Sequence, residues 1–136
     1  MPYEILSHTA DTGIEATGAN LPDLVGELAA GMFSLMAAPQ ALPEGPEIEV
    51  EVSGADPEDL VVDLLSELLY QSEVEDLIFG DFVVELSGDQ RLRVSAHGIP
   101  LSKVELTGPP IKAVTYHDVT ISETDEGWYG RVYFDV

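Results

Sequence analysis

The residues best suited to chemistry sit near the two ends of the chain. In the stretch WYGRVYFDV (128–136), Trp128, Val132, Phe134 and Val136 alternate with Tyr129, Arg131, Tyr133 and Asp135. The first set is apolar, as a strand packed on a core requires, and Asp135 belongs to the second. A carboxylate side chain, a main-chain oxygen and the last carboxyl group thus fall within two residues. Hard oxygen donors so grouped suit Ca²⁺, Mg²⁺ or Mn²⁺, with water or a partner completing the shell. The plain alternative is an exposed carboxylate at a frayed strand end. The stretch SHTADTGIEATG (7–18) raises a related question, because Asp11 stands between two strand-like runs in a chain already crowded with carboxylates.

Other chemistries have thinner support. There is no G-x-S-x-G, P-loop, H-E-x-x-H or G-x-G-x-x-G pattern. With no cysteine, disulfides, thiolate metal sites and a cysteine nucleophile are excluded. His8, His97 and His117 are scattered, with no pair at metal-ligand spacing, and read first as structural or surface histidines. Glu67 and Glu73 could ligate, but a solvated helix face accounts for both. Tyr116 and Trp128 read as core or cross-strand contacts. A metal-dependent hydrolase using Asp11, Asp135 and His8 would lack an evident general base or nucleophile with a supporting partner.

The charge balance narrows the partners. The 136 residues hold 26 Asp and Glu against 5 Lys and Arg, a formal net charge of -21. Phosphate backbones need cations, and only Lys103, Lys112, Arg91, Arg93 and Arg131 are on offer, so tight independent binding to nucleic acid is not expected. An anionic membrane surface would repel the chain, whereas a basic protein patch or a metal ion would attract it. Solvation at high salt is an equal account of the bulk acidity. The first residues lack the basic and apolar regions of a signal peptide, and no apolar run is long enough to span a bilayer, so a soluble, cytoplasmic protein is expected.

The elements that must position these residues follow from periodicity. Residues 3–8 and 12–18 read as short strands joined around Asp11. Residues 21–38 are helical, with Leu21, Leu24, Val25, Leu28, Met32, Leu35 and Met36 at helical spacing and Gly26 and Gly31 weakening the pattern. After a loop at 39–46, residues 47–54 alternate between Ile48, Val50, Val52 and Glu47, Glu49, Glu51. The segment 56–77 is the strongest helix, with Asp56 as N-cap, Pro57 at the first position and a stripe of Leu60, Leu64, Leu65, Leu68 and Leu69. Residues 79–88 and 90–99 read as a hairpin around Gly88-Asp89, 100–110 as a loop, and 111–121 with 128–136 as a final hairpin turning through 122–127. The pattern predicts one α+β domain spanning 1–136, two helices on a mainly antiparallel sheet.

Several stretches, in this order, carry a family resemblance: SHTADTGIEATG (7–18), DLLSELLYQSE (63–73) with FGDF (79–82), IKAVTYH (111–117) and the ending VYFDV (132–136). Together they resemble the archease family over nearly the whole chain, the combination of HTAD, KAVTYH and a final FDV being the specific part. The resemblance implies a non-catalytic protein cofactor of the RtcB-type RNA ligase, which joins tRNA halves after intron removal. Such a cofactor promotes guanylylation of the ligase's active-site histidine, enables multiple turnover and broadens nucleotide use. It implies a divalent-metal site at Asp11, Asp135 and the main-chain oxygen of Val136, with Ca²⁺ ahead of Mg²⁺ or Mn²⁺, and a functional role for Lys112. His8 is a weaker addition.

Physical reasoning fits that assignment. Two carboxylates about 4 Å apart repel by roughly 4 kcal/mol at an effective dielectric of 20, a cost that a bound cation reverses. Asp11 and Asp135 should meet if their strands are neighbours, with Lys112 beside them as a fixed positive charge or a salt-bridge partner. An acidic helper would also be steered to the ligase's basic cleft. The chain departs from the family in the Pro- and Gly-rich stretch before Lys112, where members often carry a histidine and charged residues, and in the extent of its acidity. The alternative function is a small metal-binding, chaperone-like module serving several nucleic-acid-processing enzymes.

Overall fold

Two helices are shared between two antiparallel sheets in the computed structural model, which describes residues 3–7, 12–38, 46–88 and 90–136. The larger sheet has strand order β1-β2-β7-β6 and the smaller β3-β5-β4. The strands are β1 (Glu4–Ser7), β2 (Thr12–Gly18), β3 (Glu47–Ser53), β4 (Leu77–Ser87), β5 (Arg91–Pro100), β6 (Ala113–Thr124) and β7 (Gly127–Asp135). Periodicity pointed to a mainly antiparallel sheet, and every pairing is antiparallel, but the strands divide into two sheets.

Helix α1 (Leu21–Ser34) starts where the Asn20 side chain accepts the Asp23 N–H at 2.9 Å. It buries Leu21, Leu24, Val25, Leu28 and Met32. Gly31 has a packing reason: a Cβ there would press on Ile14 and on the Tyr3 ring. The helix ends four residues short of the expected Ala38. Residues 36–38 bond instead to a later segment, Ala38 N–H donating to Glu105 O at 2.8 Å and Thr107 N–H to Met36 O at 3.0 Å. Helix α2 (Pro57–Glu75) matches its expected caps. The Asp56 side chain accepts the Asp59 N–H at 2.9 Å, and Leu60, Leu64, Leu65 and Leu68 are fully buried.

Helix α1 packs on β2 and β7 of the large sheet and on β4 of the small one, and α2 on β6 and all three strands of the small sheet. A single hydrophobic cluster draws on both helices and both sheets. No helix among the described residues is long and apolar enough to cross a membrane.

The last two hairpins differ from expectation in detail. Strand β6 runs on to Thr124 and β7 begins at Gly127, so the expected turn over 122–127 shrinks to Asp125 and Glu126. Strand β5 continues to Pro100 and is followed by a 3₁₀ turn at Leu101–Lys103, where a plain loop was expected. Of the loop expected at 39–46, residues 39–45 lie outside the described residues, as does Asp89 of the β4–β5 turn. Register shifts interrupt β4 between Gly80 and Val83 and β6 between Thr115 and Thr120. Left-handed aspartates stand inside them, Asp81 at φ 58° and Asp118 at φ 52°. Aspartate tolerates that conformation better than most residues.

Candidate functional site

Sheet pairing brings three chain segments distant in sequence to one end of the large sheet. Strand β2 lies directly between β1 and β7, and Thr12, its first residue, is the partner of Phe134. On the other side of β7, Ala113 is the partner of Asp135 and Val114 of Phe134. The Lys112 N–H donates to the Asp135 main-chain oxygen at 2.7 Å. Phe134 is fully buried between these neighbours and anchors the end of β7 in the core.

Asp135 is exposed at the last position of β7, and Val136 beyond it is 42% exposed. Lys112 is exposed and lies one residue before β6 rather than within it. Asp11 and His8 lie outside the described residues. The structure therefore brings Lys112, Asp135 and Val136 together and describes the strand that starts one residue after Asp11. Among the described residues, no cluster of three or more His, Asp or Glu side chains is arranged to hold a metal ion. Among the described residues, Asp135 and Val136 offer oxygen donors at this end, and no cation lies within ion-pairing distance of the Asp135 carboxylate. That donor chemistry suits a hard divalent ion.

The cations are distributed unevenly. Arg91 pairs with Glu51 at 3.7 Å, and Arg93 with Glu85 at 2.8 Å and Glu49 at 3.9 Å. Arg131 braces the bulge in β6: its Nε donates to the Asp118 carbonyl at 3.3 Å and a terminal nitrogen to Thr120 Oγ1 at 3.2 Å. Lys112 makes no ion pair among the described residues.

Two tyrosines carry contacts that periodicity did not indicate. The Tyr129 hydroxyl donates to Glu15 Oε2 at 2.8 Å on the outer face of the large sheet. Burial and that bond raise the Tyr129 phenol above its ordinary value. Tyr116 was expected in the core or across strands, yet it is 55% exposed, and its hydroxyl donates to Asp59 Oδ1 at 3.1 Å in the first turn of α2. The bulge between Thr115 and Thr120 breaks the strand alternation there. Trp128 is half-buried against the core, opposite Gly18 and Glu123. His97 is half-buried between Glu47 at 3.4 Å and Asp81 at 3.5 Å, and His117 lies 3.2 Å from Asp118.

Two helices packed on antiparallel sheets, with Lys112 of KAVTYH bonded to Asp135 of the final FDV at one sheet end, define a small α+β protein of a particular kind. The profile of the archease protein family (MTH1598/TM1083) matches residues 3–136, and the chain belongs to that family. Archease from Pyrococcus furiosus is 34% identical over 140 residues, covering 98% of each chain. Archease from Methanosarcina barkeri is 34% identical over 142 residues, covering 98% of this chain and 95% of the relative. The solution structure of Methanobacterium thermoautotrophicum protein 1598 superposes with a TM-score of 0.82 at 28% identity over 98% of both chains. The crystal structure of TM1083 from Thermotoga maritima, described as an archease and possible chaperone, shares the fold with a TM-score of 0.68 at 19% identity, over 96% of this chain and 94% of that one.

Proposed function

We propose that this protein is a non-catalytic activator of an RtcB-type tRNA-splicing RNA ligase. It promotes guanylylation of the ligase's active-site histidine, sustains multiple turnover and broadens the usable nucleotides. The supporting observation is the register at the end of the large sheet, where Thr12 faces Phe134 and the Lys112 N–H meets the Asp135 carbonyl. Asp11 directly precedes Thr12 in the sequence, which supports a shared site for Asp11, Asp135 and Lys112.

Asp11, Asp135 and the Val136 main-chain oxygen would hold a divalent ion, Ca²⁺ ahead of Mg²⁺ or Mn²⁺. When bound, that ion supplies positive charge that offsets carboxylate repulsion and leaves positions open to a partner's oxygen. Lys112 contributes a fixed cation beside this end, suited to a phosphate or a carboxylate of the complex. The net charge of -21 steers the chain toward a cleft basic enough to bind RNA and a nucleoside triphosphate.

The test is a ligation assay with limiting ligase, following both product and the guanylylated intermediate. Adding the chain should carry product well beyond one equivalent of ligase. The double variant Asp11→Ala, Asp135→Ala should lose that gain, and undiminished multiple turnover by it would overturn the reading. A second reading is a chaperone-like module for several nucleic-acid enzymes; the Thermotoga maritima archease, which shares the fold, is described as a possible chaperone. Affinity capture dominated by one ligase favours the first reading, and a diverse set of partners the second.

A further inference from the structure

Lys112 also borders a groove of about 450 Å³ between the end of α2, the 3₁₀ turn and the segment leading into β6. Its floor is buried and apolar, built from Met36, Leu69, Ile78 and Ile111. Two wall residues stand out from the fold: Leu101 is 37% exposed and Leu106 59% exposed. Main-chain bonds hold these walls. The Leu101 N–H donates to Asp76 O at 2.9 Å, and residues on both sides of Leu106 are bonded to the segment just after α1, Glu105 O accepting from the Ala38 N–H and the Thr107 N–H donating to Met36 O. Gly108 approaches the Leu35 carbonyl so closely that a Cβ would not fit. Leu106 is therefore presented to solvent by a fixed scaffold, which lowers the ordering cost of any contact it makes.

The second observation is electrostatic. A helix C-terminus carries partial negative charge and favours cations in its last turn. Helix α2 has none there; Glu73 and Glu75 occupy that turn, and Asp76 is its left-handed cap at φ 54°. No cation pairs with any of the three among the described residues. At the other end of the same helix, Glu58, Asp59 and the Asp56 cap obey the dipole. The local rule is broken where the apolar groove opens, with Glu73 and Asp76 on its rim.

We propose that this groove docks a basic amphipathic segment of the partner protein. An apolar side chain enters between Leu101 and Leu106, and flanking Lys or Arg residues meet Glu73 and Asp76. The groove is lined by two carboxylates, Glu73 and Asp76, against the single cation Lys112, and that excess of acid selects this occupant. A second copy of the chain brings 26 acidic residues against 5 basic ones to an acidic rim, and nucleic acid is repelled outright. The inference rests on the ligase reading above and adds the surface through which that ligase is held.

The experiment measures affinity of the full chain for full-length ligase by sedimentation, alongside ligase stimulation, for the wild type, Leu106→Asp, Glu73→Lys and a control, Val83→Asp. Val83 is exposed on the small sheet, away from the groove. The first two variants should each weaken binding by roughly tenfold or more, with Val83→Asp unchanged. The Glu73→Lys loss should shrink at high salt. Wild-type affinity in both variants, with stimulation intact, would overturn the docking surface and leave the ligase reading standing. A wild type that neither binds nor stimulates the ligase would remove both. Loss of a homodimer by Leu106→Asp with ligase affinity unchanged would assign the groove to a second copy and overturn the partner. If Leu106→Asp does not fold by circular dichroism, Glu73→Lys alone decides.

Discussion

The carboxylates on the outer face of the small sheet and those at the end of α2 are set in opposite surroundings. On the small sheet, Glu51 and Glu85 are the cross-strand partners of Arg93 from either side, and Glu47 faces His97. The close Arg93–Glu85 contact at 2.8 Å is a cross-strand pair of the kind that favours one register. At the end of α2, Glu73, Glu75 and Asp76 have no cation partner among the described residues, and Asp135 at the end of β7 has none either. With only five Lys and Arg in the chain, two stand on the small sheet and one braces the bulge in β6. The small-sheet carboxylates are thus matched within the fold, whereas Glu73, Asp76 and Asp135, unmatched among the described residues, lie near Lys112 and the apolar groove. Glu15 is intermediate, satisfied by the Tyr129 hydroxyl instead of a cation.

The largest effect should come from removing what holds the unmatched region in place. Phe134→Ala deletes a fully buried ring beside Asp135 and should cost about 3–5 kcal/mol in urea unfolding, with ligase stimulation lost as well. Retention of full stimulation by that variant would mean that the end of β7 need not be fixed for function.

A moderate effect is expected in alkali. The Tyr129 phenol is raised by burial first and by its bond to Glu15 second, so the folded state holds this proton more tightly than the unfolded chain. The resulting stability is present below the ordinary tyrosine value, near pH ~10, and is lost as pH rises through the folded value. Thermal melts across that range should show stability falling, and Tyr129→Phe should flatten the fall. An identical alkaline slope in that variant would show that the folded state holds the Tyr129 proton no more tightly than the unfolded chain does.

The smallest effect belongs to the matched face. Arg93→Met removes exposed ion pairs, and its loss of melting temperature should be slight and vanish in high salt. Ligase stimulation should not change. Were Arg93→Met to reduce stimulation as much as Glu73→Lys, the distinction between matched and unmatched acid would collapse.

Much of this was legible without coordinates. The Asp56 cap, the buried leucine stripe of α2 and the alternation of β3 rest on contacts within a few residues, and each appears as expected. Asp135 and Lys112 were singled out from their motifs, and they prove to be bonded neighbours. Other features had no local signal. Tyr116 meets Asp59 across 57 positions because a bulge breaks the alternation that would have placed it inward or across a strand. The early end of α1 depends on main-chain partners at 105–107, which no helical periodicity can reveal.

The sequence alone determined the element types, the apolar face of each, the net charge of -21 and the motifs that mark the family. Those properties are written in side-chain type and short-range spacing. Tertiary structure alone decided that the strands divide into two sheets, that β2 lies against β7, and that a groove with an acidic rim opens beside Lys112. The physical reason is that strand pairing is chosen by which apolar faces can be buried together and which main-chain groups remain to be satisfied, a competition among distant segments that local pattern does not record.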